Sequence, residues 1–98
     1  MKQYLDEAGR IVTFTDAAAA EIPKKHREMT GLLDQIPVVL ASPDARRPSR
    51  WDPRSRLFYR FYPNVWEGDK YICVAVKYLP GEAYVVTAYV VNEVPDIP

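Results

Sequence analysis

His26 is the only histidine in the 98 residues, and imidazole is the one side chain whose ordinary pKa places proton transfer near neutrality. A lone histidine on a helix is usually a surface or capping group; the alternative is general acid–base work. Between Asp44 and Tyr62 stand Arg46, Arg47, Arg50, Arg54, Arg56 and Arg60. Only Asp44 and Asp52 oppose them, a local charge of +4 in a chain whose formal net charge is zero. Such a field can hold a phosphate backbone although the whole molecule is neutral, or it can simply solvate a loop and an edge strand. Further on come Tyr71, Lys77, Thr87 and Tyr89, and the single Cys73. One cysteine forms no internal disulfide and no cysteine-based zinc site within one chain, which fits a reducing compartment.

These residues depend on the elements that carry them. Tyr4 to Val12 reads as a small hairpin, with Asp6-Glu7-Ala8-Gly9 as its turn. Thr15 or Asp16 then caps a helix, because either side chain can accept from an otherwise unpaired amide of the first turn. Pro23 interrupts that helix or starts its second segment, and helical character resumes from Lys24 to Met29. A second helix is expected from Gly31 to Leu40, with Leu32, Leu33, Ile36, Val39 and Leu40 as its apolar stripe and Pro37 as a kink. Ser42-Pro43-Asp44 stops it. Arg46 to Pro53 reads as a loop or an irregular edge strand, broken by Pro48 and Pro53.

Three strands follow, at Arg56–Tyr62, Lys70–Tyr78 and Ala83–Val91, and their short connections make them antiparallel neighbours. Side chains alternate across a strand, so each divides into two sets. Ile72, Val74 and Val76 are the apolar set of the second strand, Val86, Ala88 and Val90 that of the third, and Leu57, Tyr59 and Phe61 the more apolar set of the first. If the helices cover these sets, the other face gathers Arg56, Arg60, Tyr62, Tyr71, Lys77, Thr87 and Tyr89. Cations hold phosphates and rings give unpaired bases a surface to stack on, so the mixture suits RNA. Strand propensity and solubility account for any one of these residues as well.

Taken in order, His26-Arg27-Glu28-Met29, Ser42-Pro43-Asp44, Arg56 to Pro63, Lys70 to Lys77 and Ala83 to Tyr89 form a pattern that resembles the phage-associated branch of the barnase/EndoU/colicin/RelE-like superfamily. Its parts are a helix with a His, a basic segment, a Tyr-Tyr-Arg-like strand, a strand ending in Lys and a Val-Thr-Ala-Tyr strand. It spans roughly Ile11 to Val91. Arg27 and Phe58 depart from it, where the family has Pro and a second Tyr. The resemblance implies an α+β fold, with N-terminal helices packed on one face of an antiparallel sheet of three to five strands. It also implies metal-independent RNA cleavage with no cofactor. Carried over by position, His26, Arg60, Lys77, Thr87 and Tyr89 form the catalytic site, supported by Arg47 and Arg50; Arg56, Tyr62 and Tyr71 complete the substrate-binding set. In the mechanism so implied, His26 moves one proton, Tyr89 or Tyr62 moves the other or stacks a base, Arg60 and Lys77 hold the phosphate, and Thr87 orients it. An acidic antitoxin or immunity-type protein is the expected partner.

The length suits one domain over residues 1–98, with the hairpin at 1–14 and a loose Pro-rich tail at 92–98. No apolar run approaches the ~20 residues of a membrane helix, and the first residues lack the apolar core of a secretory signal, so a cytoplasmic address is expected. A metal mechanism is disfavoured because no acidic pair is expected on the cationic face. Two other functions fit the same scaffold: a non-catalytic RNA- or protein-binding module, and a structural domain of a phage or mobile element anchored by Trp51 and Trp66.

Overall fold

The computed structural model describes residues 1–64 and 68–96. Eight elements run along the chain: β1 (Lys2–Leu5), β2 (Ile11–Phe14), α1 (Asp16–Lys25), α2 (Ile36–Ala41), β3 (Ala45–Pro48), β4 (Ser55–Tyr62), β5 (Lys70–Leu79) and β6 (Glu82–Val91). Single turns of 3-10 helix at Arg27–Met29 and Leu33–Gln35 join the two helices. The strands form one six-stranded sheet in the order β1-β2-β6-β5-β4-β3. The class is α+β, as the resemblance implies. The sheet is larger than expected, and it is mixed, because β2 meets β6 in parallel through Thr13 and Tyr84. That contact attaches the N-terminal hairpin to the strand that would otherwise be an edge.

Local chemistry explains most boundaries. The Thr15 hydroxyl accepts from the Ala18 amide at 3.1 Å and starts α1. The helix runs through Pro23 as far as Lys25, so proline neither breaks nor restarts it. The expected ten-residue second helix shortens to Ile36–Ala41: Gly31 takes φ +79°, which a right-handed helix does not allow, and Pro37 sits where a first turn needs no amide donor. The basic stretch does contain an ordered edge strand, β3, paired to β4 from Ala45↔Tyr59 to Pro48↔Arg56. Pro48 closes that edge, as proline does where no ladder donor is required.

The helices pack on the sheet through one core. Ile22, Met29, Ile36, Val39 and Leu40 lie against Val12, Phe14, Phe58, Ile72, Val74, Val76, Val85 and Ala88. The β4–β5 register places Phe58 beside Val74, and so puts Arg56, Phe58, Arg60 and Tyr62 on the helix side. This reverses the expected assignment of β4. Only Phe58 from that set enters the core; the longer side chains reach outward from the rim to polar partners. The Arg60 guanidinium donates to the Ser42 carbonyl at 2.6 Å, and the Tyr62 hydroxyl donates to Gln35 Oε1 at 2.8 Å.

A second reversal lies in β6. The pairing with β5 shifts between Ala75 and Val76, so Thr87 faces Ala75 but Val85 faces Val76, with Val86 the extra residue. Such a bulge swaps the two faces of the strand beyond it. Val85 is therefore in the core and Val86 is 47% exposed, the opposite of strict alternation.

Candidate functional site

Three rows that run across the strands on the face away from the helices form the candidate site. Arg47, Leu57, Ala75 and Thr87 are cross-strand neighbours in one row. Ala45, Tyr59, Cys73 and Tyr89 form the next, and Ser55, Lys77 and Tyr84 the one on the other side. The segment between β3 and β4, with Arg50, Trp51 and Asp52, borders these rows, as do Pro95 and Asp96 from the chain's end, and together they enclose a cleft of about 720 Å³. That size suits a ligand-binding cleft, and its lining mixes aromatic surface with a few charged groups.

Of the residues singled out from sequence, Lys77, Thr87, Tyr89, Arg47 and Arg50 share this cleft. His26 is outside this lining and meets it at Tyr89, across the part of β6 beyond its contact with β2. Its position as C-cap of α1 sets its ring 5.3 Å from that of Tyr89, and the neighbouring Glu28 accepts from the Val90 amide at 3.2 Å, which fixes the turn against the strand. Arg56, Arg60 and Tyr62 are on the opposite side of the sheet and do not reach the cleft. Tyr71 is on the open face but beyond the cleft, packed 5.3 Å from Phe61. Trp51 is 91% exposed at the rim; Trp66 lies outside the described residues.

Spacing within the cleft limits what it can do. Tyr89, and with it His26, sits level with Cys73, and Lys77 is four residues further along β5. At about 3.3 Å per residue, that is roughly 13 Å. Lys77 is also engaged: its ammonium lies 3.0 Å from Asp52 Oδ2. Asp52 Oδ1 accepts from the Arg54 amide at 2.9 Å, and this bond, with Lys77 second, holds the carboxyl below its ordinary range. The face is thus not free of carboxylates, since Asp52 and Asp96 both border it. Among the described residues, no group of three or more His, Cys, Asp or Glu side chains is arranged to hold a metal ion.

Burial fixes the protonation of the Tyr59–Cys73–Tyr89 row. Desolvation, with a smaller contribution from Cys73, raises the Tyr89 phenol above its ordinary value, and Tyr59 shifts in the same direction for the same reasons. Tyr89 therefore stays protonated around neutrality and is available as a donor, not as a base. The Cys73 thiol is pushed up to about 11 by burial, partly offset by hydrogen bonding with Tyr89 and Tyr59. A neutral buried thiol is a poor nucleophile. In the folded protein, Cys73 is expected to resist a thiol-specific reagent at pH 7.5 and to react fully once denatured. Because its folded value lies above the unfolded 9.0, the contribution of Cys73 to stability is complete below pH 9 and is lost as pH rises through about 11. Rapid labelling of native protein at neutral pH would contradict this burial.

Sequence reasoning missed Tyr59, Tyr84 and Asp52. The available signal for Tyr59 was its pairing with Cys73, which only the register reveals, and the bulge displaced Tyr84. Asp52 stood in plain view between two prolines, but nothing local brings it to Lys77. In the tail, the Pro95 carbonyl accepts from Arg47 Nε at 2.8 Å.

No helix among the described residues is long and apolar enough to cross a membrane. In comparisons with known proteins, the chain matches no family model, no curated protein and no solved structure.

Proposed function

We propose that the open sheet face binds single-stranded RNA and cleaves it without a metal, in the manner of a small RelE- or barnase-like endoribonuclease. The observation that carries this reading is the meeting of Tyr89, Thr87 and Lys77 with Arg47 and Arg50 in one cleft, with the His26 ring against Tyr89 at its margin. An elongated site with a proton-transfer end and a cationic end fits a chain whose phosphates repeat along its length. It fits a single small anion poorly.

In this reading, His26 takes the proton of a ribose 2′-hydroxyl. The 2′-oxygen attacks phosphorus, the bond to the 5′-oxygen breaks, and that oxygen receives a proton from the Tyr89 side. The products are a 2′,3′-cyclic phosphate and a 5′-hydroxyl. Arg47, Arg50 and Lys77 hold neighbouring phosphates, Thr87 donates to one of them, and Trp51 offers an exposed ring for stacking. Arg60 has no part, because the sheet separates it from the reacting groups. A nuclease of this kind requires restraint in its host, and an acidic protein seated on the Arg-rich segment from Arg46 to Arg54 would supply it.

The ion pair between Lys77 and Asp52 favours a second reading, a module on the same face that binds RNA without cutting it. Incubation of the purified chain with unstructured RNA in excess chelator separates the two. Fragments ending in 2′,3′-cyclic phosphate support cleavage. Saturable binding with intact RNA supports the module, and absence of binding overturns both.

A further inference from the structure

The helix-bearing side of the sheet has an end that the helices leave uncovered, and there a second hollow of about 460 Å³ opens between the β1–β2 turn and the β3–β4 segment. Its lining carries Arg10, Arg46, Arg54 and Arg56 against Asp6 and Glu7, a local charge of +2. The acids are already engaged. Glu7 pairs with the Arg46 guanidinium through two hydrogen bonds, which hold its carboxyl below the ordinary range. Asp6 is 7% exposed and accepts from the Ala8 amide, the Arg10 amide and the Tyr78 hydroxyl, at 2.9, 2.9 and 2.8 Å. Gly9, at φ +85°, completes the tight turn around it.

This network fixes the wall of the hollow and leaves other cations to face into it. Arg10 lies over the Tyr78 ring, 4.9 Å from its centre. Stacking occupies the face of a guanidinium and leaves its N–H edge free. The Arg56 guanidinium forms no ion pair or hydrogen bond among the described residues, and that of Arg54 has only a loose contact with Asp52 at 3.9 Å. Three guanidinium groups thus border one space from two segments, Arg10 just before β2 and Arg54 with Arg56 at the start of β4. A carboxylate is satisfied by a single guanidinium fork, whereas a phosphate dianion presents three peripheral oxygens.

We infer that this hollow is a binding site for a phosphate group borne by a small molecule, such as a phosphomonoester of mononucleotide size, and that it is separate from the cleft on the opposite face. The rings of Tyr78 and Phe58 in its lining give the rest of such a ligand an apolar surface.

Calorimetric titration of the full chain with inorganic phosphate, adenosine monophosphate, adenosine and a short RNA oligomer tests this. One saturable site for the monophosphate is expected, with no binding of adenosine. Affinity is expected to fall about tenfold or more in Arg10→Gln and in Arg56→Gln, with partial recovery in Arg56→Lys, since charge-assisted hydrogen bonds are of that strength. It should be unchanged in His26→Ala and Arg50→Gln, which alter only the other face. Equal affinity for inorganic phosphate assigns recognition to the phosphate alone, and tighter monophosphate binding adds the rings. Melting temperatures confirm that each variant folds. Failure of both phosphates to bind, loss of binding in Arg50→Gln instead of in Arg10→Gln and Arg56→Gln, or binding of the oligomer alone would overturn the inference.

Discussion

His26→Ala is expected to slow RNA cleavage by about 10²–10⁴-fold, the usual contribution of one general acid or base. The imidazole is at the end of α1 and not in the core. Its side chain is 32% exposed, and its packing is against the Tyr89 ring with Glu28 Oε2 3.9 Å away. The substitution should therefore leave the melting temperature nearly unchanged while the rate collapses. A pH–rate profile of the wild type should show a limb from one ionisation that disappears in the variant. Equal rates in the two proteins would remove His26 from the chemistry and favour the binding module. Lys77→Met should behave differently. It breaks the pair with Asp52 and weakens RNA binding in a salt-dependent way, without the loss of that limb.

Ile72→Ala is expected to destabilise the fold by about 2–5 kcal/mol, the range for removing a fully buried aliphatic side chain. Ile72 is wholly buried in β5, between Arg60 of β4 and Val90 of β6. Its side chain enters the layer where the helices meet the sheet, so the resulting cavity has rigid walls on both sides. Domains are commonly stable by only about 5–15 kcal/mol, so this one change takes a large share of the total. Chemical denaturation monitored by near-ultraviolet circular dichroism would measure it. A loss below about 1 kcal/mol would mean that the helices can close over the gap, and that the core is less tightly set than its burial implies.

How far these features could be read in advance depended on range. The Thr15 cap, the Asp6–Gly9 turn and the β5 alternation are local, and each was legible because the residues that decide it are within a few positions of one another. Lys77 and Thr87 fall on one face because β5 keeps its period from Ala75 to Lys77 and Thr87 is opposite Ala75. β4 misled because both of its sets are half apolar. Phe58 against Leu57, Tyr59 and Phe61 gives no clear choice, and only the register against Ile72, Val74 and Val76 decides. Arg60 fell with the wrong set for that reason. The parallel contact between Thr13 and Tyr84 joins segments 71 residues apart and leaves no mark in either. The reach of His26 to Tyr89 depends on the same docking of the N-terminal part against β6.

The irregularity at Val86 leaves β6 tolerant of a shorter chain at that point. Without that residue Val85 and Thr87 become neighbours that still face Val76 and Ala75, so plain alternation keeps Ala83 and Val85 inside and Tyr84 and Thr87 on the open face. A valine there can become an isoleucine or a threonine with little consequence, since it projects to solvent. The costly change is to flatten the bulge with the residue still present, for then Ala83 and Val85 would turn out to water and the phenol of Tyr84 would be driven into a space shaped for valine.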